Sequence, residues 1–222
     1  EVNSNDGNNT NESDVNDNTK VGTIAESYEK YTTLKNEVYT DLTNKMEENN
    51  QFNLSLSMGL LGFSTLDLTF IPLTFCGLED ETAVAGLAYL YKNIDYKSTK
   101  DSCKITFTND EGSMSYNSKY DKKTDSLQTK VYEGDKLIAI SEYTKLDSGY
   151  ATQYYSVDEE TVVYKSIFSQ GKMIVGLVKN VSEPETLFKN SSMATEEWTK
   201  SDYMWAKYDN GVVTSILEGQ EN

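Results

Sequence analysis

The side chains able to do acid–base chemistry in this chain are carboxylates, lysines and tyrosines, and two runs bring acids together: Glu79-Asp80-Glu81 and Asp158-Glu159-Glu160. Two carboxylates are all that glycoside hydrolysis demands, one to protonate the leaving oxygen and one to attack or to activate water. A carboxylate-based glycosidase is therefore the enzyme class this composition leaves open. Helix capping and turn solvation account for both runs without chemistry. Among 36 Asp and Glu residues no pair stands out, so the expectation is a non-catalytic protein.

The missing residue types exclude more than the present ones suggest. The chain has no histidine, its 20 cationic side chains are all lysine, and its formal net charge is −16. Imidazole zinc sites and Ser-His-Asp or Cys-His arrangements are impossible, and no guanidinium can clamp a phosphate or carboxylate. A polyanion is repelled, so nucleic acid is not an expected partner. Glycines occur singly, with no GxGxxG and no GxxxxGK, and no cofactor is expected. AT-rich coding would give the same richness in Asn, Lys, Tyr and Ile, and the exclusions hold whatever its origin.

Asp14-Val15-Asn16-Asp17-Asn18 resembles the start of a dockerin calcium repeat. Thr19 stands where the sharp turn needs Gly, and Ala25 stands at the closing carboxylate, so no metal site is expected. Cys76 and Cys103 are the two cysteines. An even count points to a disulfide, which would add about 3–4 kcal/mol in the chain-entropy model. Two reduced, buried thiols is the other reading.

Aromatic side chains are the remaining signal, with 16 tyrosines. Tyr150 and Tyr154 share one face of a strand with Tyr155 on the other, and Trp198, Tyr203, Trp205 and Tyr208 crowd a later segment. Cross-strand packing is the plainer explanation. The functional one makes Tyr150, Tyr154, Trp198 and Trp205 ligand contacts, because Tyr and Trp give large contact area at low entropic cost.

The elements that would position these residues begin after a tail. Residues 1–20 hold two valines and no other hydrophobic side chain. Such a stretch cannot offset its ordering entropy by burial, and it is expected to be a disordered tether. Its composition suits a spacer holding an exported domain off a membrane, anchored by a signal outside this sequence. Residues 21–222 then form one α+β domain.

Thr23 and Glu26 make a capping box, followed by a stripe of Val21, Ile24, Tyr28, Tyr31, Val38, Leu42 and Met46 at helical spacing. Lys35 is read among the charges mostly off that stripe, and Glu47 and Glu48 weaken the last turn. Residues 52–78 are charge-poor and alternate at Leu66, Leu68 and Phe70, which predicts extended structure broken at Pro72. Asp80 is expected to cap a short helix over ETAVAGLAYLYKN. From Cys103 the period becomes two, and about nine strand-like segments follow with turns too short for parallel crossovers. Ser182, Pro184 and Glu185 predict one short helical turn among them.

The expected fold is thus a long amphipathic helix plus a short helix packed on a curved antiparallel β-meander. As element order alone, that layout is similar to lipoprotein carriers in which a curved sheet wraps over helices. The expected function is an exported, membrane-tethered, non-catalytic protein, extracellular at the cell surface, with an apolar cleft between sheet and helix for a hydrophobic small molecule. The alternative is a surface module binding glycan or protein through exposed aromatics.

Overall fold

A computed structural model describes residues 23–49, 51, 54–109, 112–157, 160–217 and 220–221. The tether over 1–20, the partial calcium motif at 14–18, and Asp158 and Glu159 lie outside the described residues. The order of elements is α1 (Ile24–Glu48), α2 (Leu54–Thr69), a 3-10 turn (Ile71–Phe75) and α3 (Asp80–Leu87). Then come strands β1 (Lys92–Ser98), β2 (Ser102–Asn109), β3 (Gly112–Asp121), β4 (Ser126–Glu133), β5 (Lys136–Lys145) and β6 (Gly149–Val157). β7 (Thr161–Ser169), β8 (Lys172–Lys179), a second 3-10 turn (Ser191–Met193), α4 (Glu196–Thr199), β9 (Met204–Asp209), β10 (Val212–Leu217) and β11 (Gln220–Glu221) complete it.

The strands form one open sheet in sequence order, β1 to β11, antiparallel throughout. The α+β meander is as the alternation and short turns require. The nine expected strands are β2 to β10, and two more sit at the edges. β1 escaped the period-two reading because Asn93 takes φ 52° and the pairing slips between Lys92 and Asp95. Its Lys92, Asp95 and Lys97 suit an edge strand, where charge discourages further pairing.

Helix α1 starts as the capping box dictates: Thr23 Oγ1 accepts from the Glu26 amide at 3.2 Å, and Glu26 Oε2 accepts from the Thr23 amide at 2.9 Å. Its buried stripe is Ile24, Ser27, Tyr28, Tyr31, Lys35, Val38, Leu42 and Met46. The helix lies across the strands. Ser27 at its first turn donates to Asp125 Oδ1 at 2.5 Å, in the β3–β4 turn, and shares a 2.7 Å hydrogen bond with the Tyr143 hydroxyl on β5. Tyr31 donates to Thr152 Oγ1 on β6 at 3.0 Å and packs on Phe168 of β7. Just past the other end, Gln51 donates to the Val213 carbonyl of β10 at 3.3 Å.

Lengths explain this placement. A helix of 25 residues is about 37 Å long, and seven strand spacings from β3 to β10 make about 34 Å. The seat is a row of side chains in register beneath it: Tyr143, Thr152, Ser166, Val175, Ala206 and Ser215 on β5 to β10. From Thr152 onward the row is small and buried, which lets the helix settle on the backbone. The hydroxyls of Ser166 and Ser215 are buried with no hydrogen-bond partner among the described residues, so size rather than bonding explains them.

The opposite face of the sheet has a partial cover. The connection from β8 to β9 folds back over it and is pinned by buried Glu142. That carboxylate accepts from the Leu187 amide at 2.6 Å, Thr186 Oγ1 at 2.6 Å, Gln128 Nε2 at 2.5 Å and Gln153 Nε2 at 3.3 Å. Tyr155, Ile140 and Val163 form a small second core there, joined by Val181. The helical turn expected at Ser182, Pro184 and Glu185 does not form; Glu185 instead offers its carbonyl to Gln153 at 2.9 Å. The helical turns come later, at Ser191–Met193 and Glu196–Thr199.

If small size is what seats α1, Ser166→Ala will leave stability unchanged or raise it by about 1 kcal/mol, since an orphan hydroxyl disappears. Ser166→Leu will lower it by about 1–3 kcal/mol through overpacking. Urea denaturation of both variants reads the difference; equal losses would contradict the seat.

Candidate functional site: the outward face of α2

Residues 54–69 are helix, not the extended structure predicted for 52–78. Leu, Met, Ser and Gly fill it, and its apolar residues point in every direction, so no helical period was visible in the sequence. Length was the overlooked signal, because an apolar run of 16 residues exceeds an ordinary strand. Pro72 begins the 3-10 turn rather than breaking a strand.

Three things hold α2 against the rest of the molecule. Its inner side chains Leu56, Leu60 and Phe63 are fully buried, with Phe63 5.9 Å from the Tyr164 ring of β7. Gly59 and Gly62 let it approach the sheet closely: a Cβ at either would collide with Met204 Sδ or the Tyr164 hydroxyl. At its C-terminal end, Tyr116 donates to the Thr69 carbonyl at 2.9 Å, and Phe70 meets Tyr116 and Tyr154 edge-on. The chain beyond is fixed by a disulfide between Cys76 and Cys103 of β2. Tyr96 of β1 adds a 2.8 Å hydrogen bond to the Phe75 carbonyl.

The third fastening is an ion pair buried between α1 and α2. Lys35 Nζ donates to Asp67 Oδ1 at 3.0 Å and to the Phe63 carbonyl at 3.1 Å, and lies 4.2 Å from the Phe63 ring centroid. Only 1% of the Lys35 side chain is exposed, so the sequence reading that put it off the buried stripe is corrected. It lies four residues after Tyr31 and three before Val38, inside that stripe. Burial pulls the Lys35 ammonium below the usual lysine range and pushes the Asp67 carboxyl above the usual range, each against its partner's attraction. The second oxygen of Asp67, Oδ2, has no hydrogen-bond partner among the described residues.

The outward side of α2 is bare. Leu54 is 80% exposed, Met58 60%, Leu61 51% and Leu68 65%, and Ile71 continues the apolar surface. Asp67 is the one ionisable group between Leu54 and Leu78, and its charge turns inward to Lys35. Leu54–Phe75 is long and apolar enough to cross a membrane by composition, yet only 22% of its most apolar window is buried inside the molecule. A helix apolar on all sides is ordinarily buried on all sides. Contiguous apolar surface of this kind marks a contact site.

The aromatic candidates lie elsewhere. Tyr150 donates to Asp125 Oδ2 at 3.2 Å and packs on Tyr31 and Tyr143; Tyr154 sits under Phe70. Trp205 is buried beneath Lys200 and donates to Thr199 Oγ1 at 3.2 Å. All three are buried among other side chains, and Trp205 also lines a groove with Lys200, Lys207 and Thr214. Trp198 is half-buried on α4, with Lys165 Nζ 5.4 Å from its ring centroid. Nor is the space between α1 and the sheet an open cleft: Tyr31 and Tyr143 stack at 4.3 Å, and Val38, Leu42 and Met46 are fully buried there.

The carboxylate runs also have structural settings. Asp80 and Glu81 are exposed in the first turn of α3; Glu79, not Asp80, is the N-cap, and it makes no side-chain cap bond. Glu160 pairs with Lys179 at 3.1 Å. Where the chain leaves β8, Lys179, Lys200, Glu197 and Tyr203 line a polar groove of about 780 Å3. No protein-family model, curated protein or solved structure matches the chain.

Removing one member of a buried ion pair strands the other's charge. Lys35→Met is expected to lower stability at pH 7 by about 3–5 kcal/mol, and Lys35→Met with Asp67→Leu to restore it to within about 1 kcal/mol. The pH dependence follows from the raised Asp67 carboxyl. It holds its proton more tightly folded than unfolded, so its penalty is full above the raised value and gone below the ordinary 3.8. The deficit of the single variant will therefore shrink between pH 7 and pH 4. Thermal melts across that range test this; a double variant as unstable as the single one would contradict it.

Proposed function

We propose that this is an exported, non-catalytic binding protein whose apolar partner docks on α2, not in a cleft beneath α1. The observation that supports the reading most is the charge-free stripe of Leu54, Met58, Leu61 and Leu68, exposed along a helix otherwise anchored in the core. Covering such side chains yields about 1.5–3 kcal/mol each. Association itself costs about 4–15 kcal/mol. The balance suits reversible docking.

Charge supports an uncharged partner. A chain of net charge −16 repels anionic headgroups at short range, and the α2 face offers no lysine to recruit them. The Cys76–Cys103 disulfide supports export, because such bonds persist in oxidising compartments.

A neutral solvatochromic dye such as Nile red tests the site without a charge bias. The wild-type chain is expected to brighten the dye, and Met58→Glu with Leu61→Glu to abolish most of that gain while keeping the wild-type near-UV circular dichroism. No brightening, or brightening indifferent to those two substitutions, would remove α2 as the binding surface.

A further inference from the structure

Two grooves share Lys200 as a common wall, and neither is lined by α2. The first, of about 780 Å3, lies where the chain leaves β8 and is bounded by Lys179, Asn180, Glu197, Asp202 and Tyr203. The second, of about 540 Å3, runs over β9 and β10. Each falls within the size of ordinary ligand sites, about 300–1,000 Å3.

Register sets the floor of the second groove. Trp205 pairs with Ile216, Lys207 with Thr214 and Asp209 with Val212. These six alternate with Ala206 and Ser215 of the α1 seat, so they lie on the opposite face of the sheet. Val212, 66% exposed, and half-buried Ile216 give the floor apolar surface, and Trp205 lies buried under Lys200. Ion pairs edge it, Lys207 with Glu196 at 2.6 Å and Lys172 with Asp209 at 3.2 Å. An apolar floor inside a polar rim matches a pyranose ring, which has a face of C–H groups and hydroxyls around its edge.

In the first groove the walls are tied and part of the rim is free. Lys179 is held by Glu160 at 3.1 Å and lies 4.7 Å from the Tyr203 ring centroid. Ser201 Oγ donates to the Leu177 carbonyl at 2.5 Å and accepts from the Tyr203 amide at 3.1 Å. Lys200 Nζ sits 3.7 Å from the Trp205 ring centroid and 3.8 Å from Glu196. Walls fixed in advance lower the ordering cost of binding. The side chains of Asn180, Glu197 and Asp202 are exposed and make no hydrogen bond or ion pair among the described residues.

Charge then selects the ligand. An anion entering the first groove meets the carboxylates of Glu160, Glu197 and Asp202, while both lysines are already engaged. A cation meets Lys179 and Lys200. A neutral ligand rich in hydroxyls meets neither penalty. It donates to the free carboxylates of Glu197 and Asp202 in charge-assisted hydrogen bonds, and it accepts from the Asn180 amide.

We propose that the two grooves form one track for a neutral oligosaccharide, with sugar hydroxyls on Asn180, Glu197 and Asp202 and a ring face on Val212 and Ile216. The track shares no residue with the α2 stripe, so this site and the docking face stand or fall separately.

Saturation-transfer difference NMR on the full chain tests the track, with cellobiose, maltose, lactose and N,N′-diacetylchitobiose as probes. At least one of these is expected to receive saturation. Glu197→Ala with Asp202→Ala, and separately Val212→Glu, are each expected to weaken its binding by about tenfold, the scale of one or two hydrogen bonds, while keeping the wild-type near-UV circular dichroism. Thr214→Glu, exposed on the same floor, takes the place of Val212→Glu if that variant loses the wild-type spectrum. Saturation of none of the four sugars, or binding unchanged in either groove's variant, overturns the proposal. Tighter binding of butylammonium or inorganic phosphate than of every sugar overturns it in favour of an ion site.

Discussion

A sheet of eleven strands presents an inner face wider than any one helix can cover along its length, so the helix has to run across the strands. α1 does so because three independent features agree. Its length matches the span from β3 to β10, its stripe of buried residues is continuous from Ile24 to Met46, and the strands beneath offer a row of small side chains in register. The ends of the helix are then fixed by polar contacts that tolerate little displacement. Ser27, Tyr120 and Tyr150 all donate to buried Asp125. Burial, with the Asp125 carboxylate beside them, holds the Tyr120 and Tyr150 hydroxyls well above the usual phenol range, so they stay protonated donors.

The rest of the helical layer is arranged around α1. α2 cannot occupy the same seat, so it packs beside α1, over Tyr164 and Met204, with its glycines admitting those side chains. Burial also shapes Tyr164, whose hydroxyl is raised to about 12 and stays protonated where α2 closes over it. A second layer made this way is covered on one side alone. Because α2 is apolar around its whole circumference, its uncovered side leaves Leu54, Met58, Leu61 and Leu68 exposed along one helix. The function proposed for the protein is a consequence of that geometry. The buried Lys35–Asp67 pair then serves register: it fixes which turn of α2 faces α1, and hence which side chains face out.

The legible parts of the sequence were those where one face is wet. α1 and strands β2 to β10 could be read directly because polar and apolar residues alternate at the period of the element. α2 could not, since a helix apolar on all sides carries no period, and the accidental alternation of Leu66, Leu68 and Phe70 pointed to a strand. Lys35 is buried despite its charge, because its four-carbon stem lies in the stripe and its ammonium finds Asp67. The aromatic candidates carry a related lesson. Tyr150, Tyr154 and Trp205 have polar tips that are satisfied inside, and nothing in a single sequence distinguishes a buried tyrosine with a partner from an exposed one awaiting a ligand. Counting cysteines left a disulfide and two buried thiols equally open, and the structure shows the bond.

Native-state hydrogen exchange measures the difference between the two helices most directly. With α1 seated across the strands from β3 to β10 and α2 fastened at a few points, amides of α1 are expected to exchange only through global unfolding, while those of α2 exchange through a smaller opening of lower free energy. Protection of α2 equal to that of α1 in dilute solution would contradict the account, because it would make α2 an integral part of the core and its bare face an incidental one.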